Sequence, residues 1–396
     1  MKKLSGAMLS FAVLLGTSGV FAYDFSAIVT DSTKIDFFNG KFENPFLKQS
    51  EKFIGAFTSS LSKDGSSNFA AEATVEHKLD KQFGDDGSTD NSIVADCTLF
   101  KFSASRKLSD GGNFDLAAGR FFFSDVTGIV IAQPNDGFFA KYTAQKIEVS
   151  AYGGYSGLQN VKNVSVLTSN GTVWSSADEK DIYDFAAPYA IGSVCLSFPY
   201  FFKNQTVSIE GMFAANVSGP ADLKDDDNRI YGTVNFTGPL SEKLFYSLSG
   251  SFGTTDFDKI GLLGKFSLDY FSTYKNAVLA LNAVYASGES GKIGNFVGFT
   301  KVAACLSMDE PIYSGLIKAG ASGSFIPKDK FVVSAGGDVV IGMPDGSSEF
   351  YGIQVSGEAM YKMYSDLNLS LSATHFVGKY RDASRTEITL GLALAL

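Results

Sequence analysis

Three cysteines, two histidines and nine prolines in 396 residues put several kinds of protein out of reach. Cys97, Cys195 and Cys305 are far apart, odd in number and without CxxC spacing, so they frame neither a disulfide scaffold nor a zinc site. Cys97 and Cys195 read as small strand hydrophobes; Cys305 falls in a long loop and is open to a disulfide. His77 and His375 stand at no metal-ligand spacing and read as interfacial or solvent positions. No GxSxG, HExxH or phosphate-binding glycine motif occurs, so neither enzymatic activity nor a cofactor is expected. Charged residues are 19%, below the ~25% of typical soluble domains. A pI near 4.9 argues against a nucleic-acid partner. Beyond residue 22 no apolar run reaches the ~18 residues of a membrane-spanning helix.

What the chain has in excess is glycine (41) and aromatics, with 36 Phe and 17 Tyr against one Trp. That content is too aromatic for disorder. Met1-Lys2-Lys3, the small apolar stretch Ala7–Val20 and the small residues before Tyr23 read as a secretory signal peptide over 1–22. Removing it takes away Lys2 and Lys3 and no acid, moving the formal charge from −9 to −11. Residues 23–396 then form one unit.

Period-2 alternation dominates that unit. Ile388, Leu390, Leu392, Leu394 and Leu396 alternate with Glu387, Thr389, Gly391, Ala393 and Ala395. Leu367–Thr374, Tyr351–Lys362, Val207–Val217, Leu244–Phe252 and Leu262–Tyr270 repeat the pattern. In a strand these rows face opposite ways. The segments run past ten residues, whereas soluble strands centre on about 5–6 and a tilted bilayer-crossing strand needs ~9–11. The second row is small and polar, which suits a wet interior. Connections alternate in length. Ser62–Ser66, Thr143–Gln145, Pro239–Glu242, Pro327–Lys330 and Ser365–Asp366 are short. Asp80–Asn91, Ser124–Asp136, Gly154–Ala187, Ser218–Asn228, Gly288–Tyr313, Met343–Ser348 and Lys379–Arg385 are long. This predicts an all-β transmembrane antiparallel up-and-down barrel of about 18 strands, with 16 as the alternative count and both termini at the short-turn end. Phe114, Tyr246, Phe252, Tyr270, Tyr285, Phe325, Tyr351 and Tyr361 are expected to form interfacial girdles. A soluble secreted β-sandwich is the competing fold.

With its leader, its alternating strands and a last strand that ends the chain, the sequence resembles a Gram-negative outer-membrane porin. Gly119-Arg120-Phe121 before a loop, and Gly137-Phe138-Phe139 after it, are similar to porin segments. Leu281–Gly288 and Ser365-Asp366-Leu367 also resemble spirochaetal outer-membrane barrels and, more loosely, alginate-export porins. The terminal residue departs from the pattern: such barrels commonly end in Phe or Trp, and this chain ends in Leu396.

The resemblance implies passive, weakly selective diffusion of small hydrophilic solutes across an outer membrane. A substrate-specific uptake or export barrel, or a non-conducting adhesin acting through its long loops, are the alternatives. The polar row assigns to the lumen the acids Glu72, Glu76, Asp96, Asp115, Glu148, Glu210, Asp269, Asp338, Glu358 and Glu387. It assigns there the bases Lys78, Lys141, Lys146, Lys265, Lys318 and Lys362. The excess of acid predicts a mild cation preference. The apolar loop Ser124–Asp136 is expected to fold inward and narrow the barrel, with Arg120, Asp125 and Asp136 near the constriction. Gly154–Ala187, with Trp174, is the longest loop and a candidate plug, gate or binding surface. Asp85-Asp86-Gly87 and Asp225–Asn228 suggest divalent cations but lack the EF-hand spacing, so no metal is assigned. Expected partners are membrane lipid, the barrel-assembly machinery, the solutes and a second and third copy in a homo-trimer.

Overall fold

The computed structural model describes residues 23–396 except 39–43, 85–86, 110, 175–181, 218–226, 256–257, 308–309, 344–346 and 381–382. Residues 1–22, expected from the sequence to be a signal peptide, and the acidic pairs Asp85-Asp86 and Asp225-Asp226 lie outside the described residues.

Eighteen long strands form one closed antiparallel sheet. The first nine are β1 (Tyr23–Phe38), β2 (Phe46–Ser60), β3 (Ser67–Gln82), β4 (Thr89–Lys107), β5 (Asn113–Ser124), β6 (Ala132–Thr143), β7 (Glu148–Tyr155), β8 (Tyr189–Phe202) and β9 (Gln205–Asn216). There follow β10 (Arg229–Ser241), β11 (Leu244–Thr254), β12 (Ile260–Phe271) and β13 (Val278–Ala286). The two-residue β14 (Ile293–Gly294) lies inside a long connection and pairs parallel to the end of β12. The circuit ends with β15 (Leu316–Lys328), β16 (Phe331–Gly342), β17 (Glu349–Lys362), β18 (Leu367–Gly378) and β19 (Arg385–Ala395). Closure is made by β1, which pairs with β2 on one side and with β19 on the other, from Ile28↔Ala395 to Phe38↔Arg385. The barrel is of the outer-membrane type. A hydrocarbon interior supplies no partner for a free backbone N–H or C=O, and closing the ladder removes the two open sheet edges.

The two rows of the alternation fall on the two faces as predicted. Phe25, Phe53, Leu116, Phe138, Ile209, Phe266, Leu279, Val355 and Leu390 are exposed on the outer face. Of the proposed girdle aromatics, Tyr351 is a correction. A register shift between Val340 and Ile341 turns it inward, where its ring packs on Phe376 at 5.6 Å and its hydroxyl meets Ser307. His77 is half-buried and bonds to Asn91, and His375 is exposed and bonds to Thr386. All three cysteines are free.

Eight short turns and both strand termini share one end of the barrel, and nine connections share the other. The excursion between β13 and β15 is one connection, which fixes the count at 18. Two expected loops are shorter than predicted, because β3 runs on to Gln82 and β6 begins at Ala132.

The wall departs from a regular cylinder at one place. β4 pairs with β5 only from Lys107↔Asn113 to Phe100↔Arg120, and β6 pairs with β7 only as far as Asp136↔Tyr155. Beyond those points β5 and β6 pair only with each other. The bend sits at Gly119, whose φ is +117° and where a Cβ would stand 1.9 Å from the Phe100 carbonyl oxygen. Gly119→Ala therefore forces either strain or a lost β4–β5 contact, and is expected to lower stability by about 1–3 kcal/mol. The urea midpoint of the refolded barrel checks this; an unchanged midpoint would show that the bend does not need glycine.

Candidate pore and its constriction

Two contacts identify the inward face. Lys265 of β12 donates from Nζ to the Thr127 carbonyl at 2.6 Å, and Glu210 of β9 accepts from the Val126 N–H at 2.9 Å. Their sequence neighbours Phe266 and Ile209 are exposed on the other face. Following the ladder from strand to strand extends the assignment around the barrel, for example Lys265↔Val284↔Lys318↔Val340. On this register Glu72, Glu76, Lys78, Asp96, Asp115, Lys141, Glu148, Glu210, Asp269, Lys318, Asp338, Glu358, Lys362 and Glu387 all stand inward with Lys265. Lys146 lies in the β6–β7 turn, at the rim.

Several of these charges are matched locally. Lys141 meets Glu148 at 2.8 Å and Lys318 meets Asp338 at 3.3 Å. Glu76 is shared by Lys52 and Lys78 and accepts from Ser50 at 2.6 Å. Glu387 is shared by Lys34 and Arg385. Lys34, Lys48, Lys52, Lys101 and Arg385 also belong to the inward row and went unassigned in the sequence. In β2, Lys48, Ser50, Lys52 and Ile54 do alternate with Leu47, Gln49, Glu51 and Phe53. Polar groups on both rows of its outer half hide the pattern.

The β5–β6 hairpin, its tip at residues 125–131, crosses the lumen as the apolar sequence suggested. Asp125 organises that tip. Its carboxylate accepts from the Thr127 N–H (2.8 Å), the Thr127 hydroxyl (2.5 Å) and the Ile131 N–H (3.1 Å). With its own donors satisfied, the turn can be buried. Two further connections meet it. Phe299 and Thr300, between β13 and β15, donate their N–H groups to the Val130 carbonyl at 2.6 and 3.2 Å. Leu167, between β7 and β8, donates to the Phe299 carbonyl at 2.9 Å. Ile129, Val130, Ile131, Val166, Phe296 and Phe299 form an apolar core against Phe121, Tyr189, Met212 and Tyr231 of the wall. Each fully buried side chain of this size contributes about 1.5–3 kcal/mol, so the constriction is a packed body. Trp174 joins its edge. Arg229 of β10 ties two of the connections together, donating to the Gly298 and Leu167 carbonyls at 3.2 and 2.5 Å. Asp227, from the acidic run considered for calcium, accepts from the Tyr189 hydroxyl and the Ser169 N–H.

The β13–β15 connection also reaches the opposite wall. Leu306 donates to Gln354 at 2.7 Å, and Cys305 packs on Val340 and Phe376. Glu310 accepts from Arg385 at 2.7 Å and from Lys301 at 3.0 Å. Below this cover a recess of about 350 Å³ is lined by Ser322, Ser334, Ser356, Glu358, Ser372 and Thr374 of β15–β18.

The architecture now admits comparison. It is the fold of outer-membrane porins. No family model matches the sequence, and no curated protein matches it. Solved structures from Pseudomonas aeruginosa are similar over nearly the whole length. OpdQ gives a TM-score of 0.61 at 11% identity over 94% of this chain and 98% of that one. OccK3 (OpdO) gives 0.61 at 10% identity over 94% and 95%. OpdK, solved with vanillate, gives 0.57 at 11% identity over 94% and 98%.

Arg120 and Asp136, expected near the constriction, stand on the hairpin that forms it, bonded to each other. Both lie on the face of β5 and β6 opposite to Phe121 and Phe139, behind the constriction rather than in it. Where the hairpin leaves the wall, the β7–β8 connection takes its place beside β4. Ala95 donates to the Ile182 carbonyl at 3.4 Å, and Asn160 donates to both Ala95 and Ile182 at 3.2 Å. Arg120 closes the seam. Its guanidinium grips Asp136 at 2.9 and 2.9 Å and reaches Asp96 (3.3 Å), the Cys97 carbonyl (3.0 Å) and the Leu158 carbonyl (2.6 Å).

Two predictions follow from these anchors. Arg120→Ala leaves Asp96 and Asp136 without their shared cation, and is expected to give a noisier, wider channel in single-channel recording. Lysine should not restore it, because the planar fork is what spans the partners. Glu310 is held down from 4.5 to about 2, chiefly by the hydrogen bond from Arg385 and then by Lys301, against its desolvation. A depressed carboxyl contributes fully above its ordinary value and is lost as pH falls through the folded one. Protease access to the β13–β15 connection is therefore expected to stay constant from neutral pH to 4.5 and to rise only on approach to about 2. A rise already above 4.5 would contradict the anchor.

Proposed function

We propose that the chain is a solute-selective outer-membrane channel, with passive passage of small polar solutes and no chemical step or cofactor. The observation that carries this is the packed body inside the lumen: three connections share one apolar core against the wall. A general diffusion pore needs only a wide hydrated lumen, whereas a fixed, many-sided passage can distinguish solutes by shape. The solved structure of OpdK with vanillate, on the same fold, supports selectivity as the stronger reading. The substrate-specific alternative is thus preferred to weakly selective diffusion.

The mild cation preference read from the acid-to-base count now has Lys34, Lys48, Lys52, Lys101 and Arg385 to set against the acids. A spirochaetal kinship rests on the short segments Leu281–Gly288 and Ser365–Leu367 alone. Planar-bilayer recording of the refolded barrel tests the main reading. A small conductance, reduced by some solutes and not by others of equal size, is expected. A large ohmic conductance indifferent to every solute, or none at all, would overturn it.

A further inference from the structure

The short-turn rim carries a cation on nearly every turn. Lys63, Lys146, Lys203, Lys243, Lys275 and Lys330 each lie in one of the two- to six-residue connections. Lys107 and Lys362 end the strands that lead into the other two. All are exposed. Among the described residues, none of the six turn lysines forms an ion pair. Among the described residues the acids of these turns are fewer: Asp64, Glu242, Asp329 and Asp366. Asp64 is already engaged by the Ser66 N–H and hydroxyl at 3.1 and 2.8 Å.

One arc concentrates the feature. The turns β8–β9, β10–β11 and β12–β13 are consecutive around the rim and carry Lys203, Lys243 and Lys275 against the single acid Glu242. Beside the lysines stand Tyr200, Phe201, Phe202 and Tyr274, with Tyr200 71% and Tyr274 72% exposed. Lys203 sits 5.4 Å from the Phe202 ring centroid and Lys275 5.7 Å from that of Tyr274. Aromatic rings of this kind settle at headgroup depth, and a lysine held over such a ring is delivered to the same depth. A protein surface or a soluble anion would need no aromatic wedge.

We propose that this arc binds anionic phospholipid headgroups of the leaflet facing the turns, with the rings setting depth and the lysines pairing with lipid phosphates. The proposal rests on the membrane reading above. Near a charged surface each lysine contributes enough for a several-fold effect, and the attraction is screened by salt.

The experiment compares the refolded full chain in phosphatidylcholine vesicles with the same vesicles containing phosphatidylglycerol, following unfolding in urea by loss of the heat-modifiable folded band. Unfolding should be about tenfold slower with the anionic lipid at low salt, and the difference should shrink with salt. The K203Q/K243Q/K275Q variant should lose most of that difference while unfolding normally in phosphatidylcholine. An anionic-lipid effect that survives in the variant, or is absent in the parent, overturns the proposal. So does inorganic phosphate reproducing the effect in phosphatidylcholine vesicles. Failure to insert into either vesicle would instead strike the membrane reading, and the proposal with it.

Discussion

Everything in this protein follows from the hydrogen-bonding demand of the backbone in a medium without water. An unpaired N–H or C=O in hydrocarbon costs several kcal/mol, so the sheet must return on itself. The β1–β19 ladder meets that demand and thereby sets the rest. Once the sheet is closed, alternate residues have no choice of environment. One row meets lipid and the other meets the interior, and a one-residue slip would exchange every Leu for a Ser or Glu.

That coupling explains what was legible. Wherever one row is apolar and the other polar through the bilayer, as at Leu367–Thr374 or Ile388–Leu396, the alternation reads directly and places Glu387 or Lys265 on the correct side. It fades in β1–β4, where strands of 15–19 residues exceed the span a bilayer requires. There both rows are polar, and Lys34, Lys48 and Lys52 passed unassigned. It also fails at register shifts. Tyr351 follows the period by number, yet it is itself the extra residue between Phe350 and Gly352 opposite Ile341 and Val340, and it turns inward. Alternation along one strand does not show where that strand takes in an extra residue against its neighbour.

The constriction was half legible. Val126, Ile129, Val130 and Ile131 are too apolar for an exposed loop, and the sequence alone demands that they be buried somewhere. What buries them comes from Val166, Phe296 and Phe299, 35 to 170 residues further along. No spacing rule links such segments. The role of Arg120 was hidden for a related reason: parity places it on the outer face, but what lies outside it is another stretch of the same chain.

The same closure rule governs that last feature. Bending β5 and β6 into the lumen narrows the passage, but it strips backbone partners from the upper half of β4. The β7–β8 connection supplies partners at Ala95, whose N–H donates to Ile182 and whose carbonyl accepts from Asn160, and Arg120 takes the Cys97 carbonyl. The long connection is thus first a repair of the wall and only second a cover of the pore. The constriction and the seam are two halves of one arrangement, since neither the hairpin nor the connection can move without leaving the other's hydrogen bonds open. Arg120 stands where the two meet, with Asp136 on the hairpin, Cys97 on the wall and Leu158 on the connection. A single planar cation can hold three separate pieces of chain there because its five N–H donors diverge. The width of the passage is therefore coupled to the integrity of the barrel, which is how a soft hairpin in a lumen can keep a fixed shape.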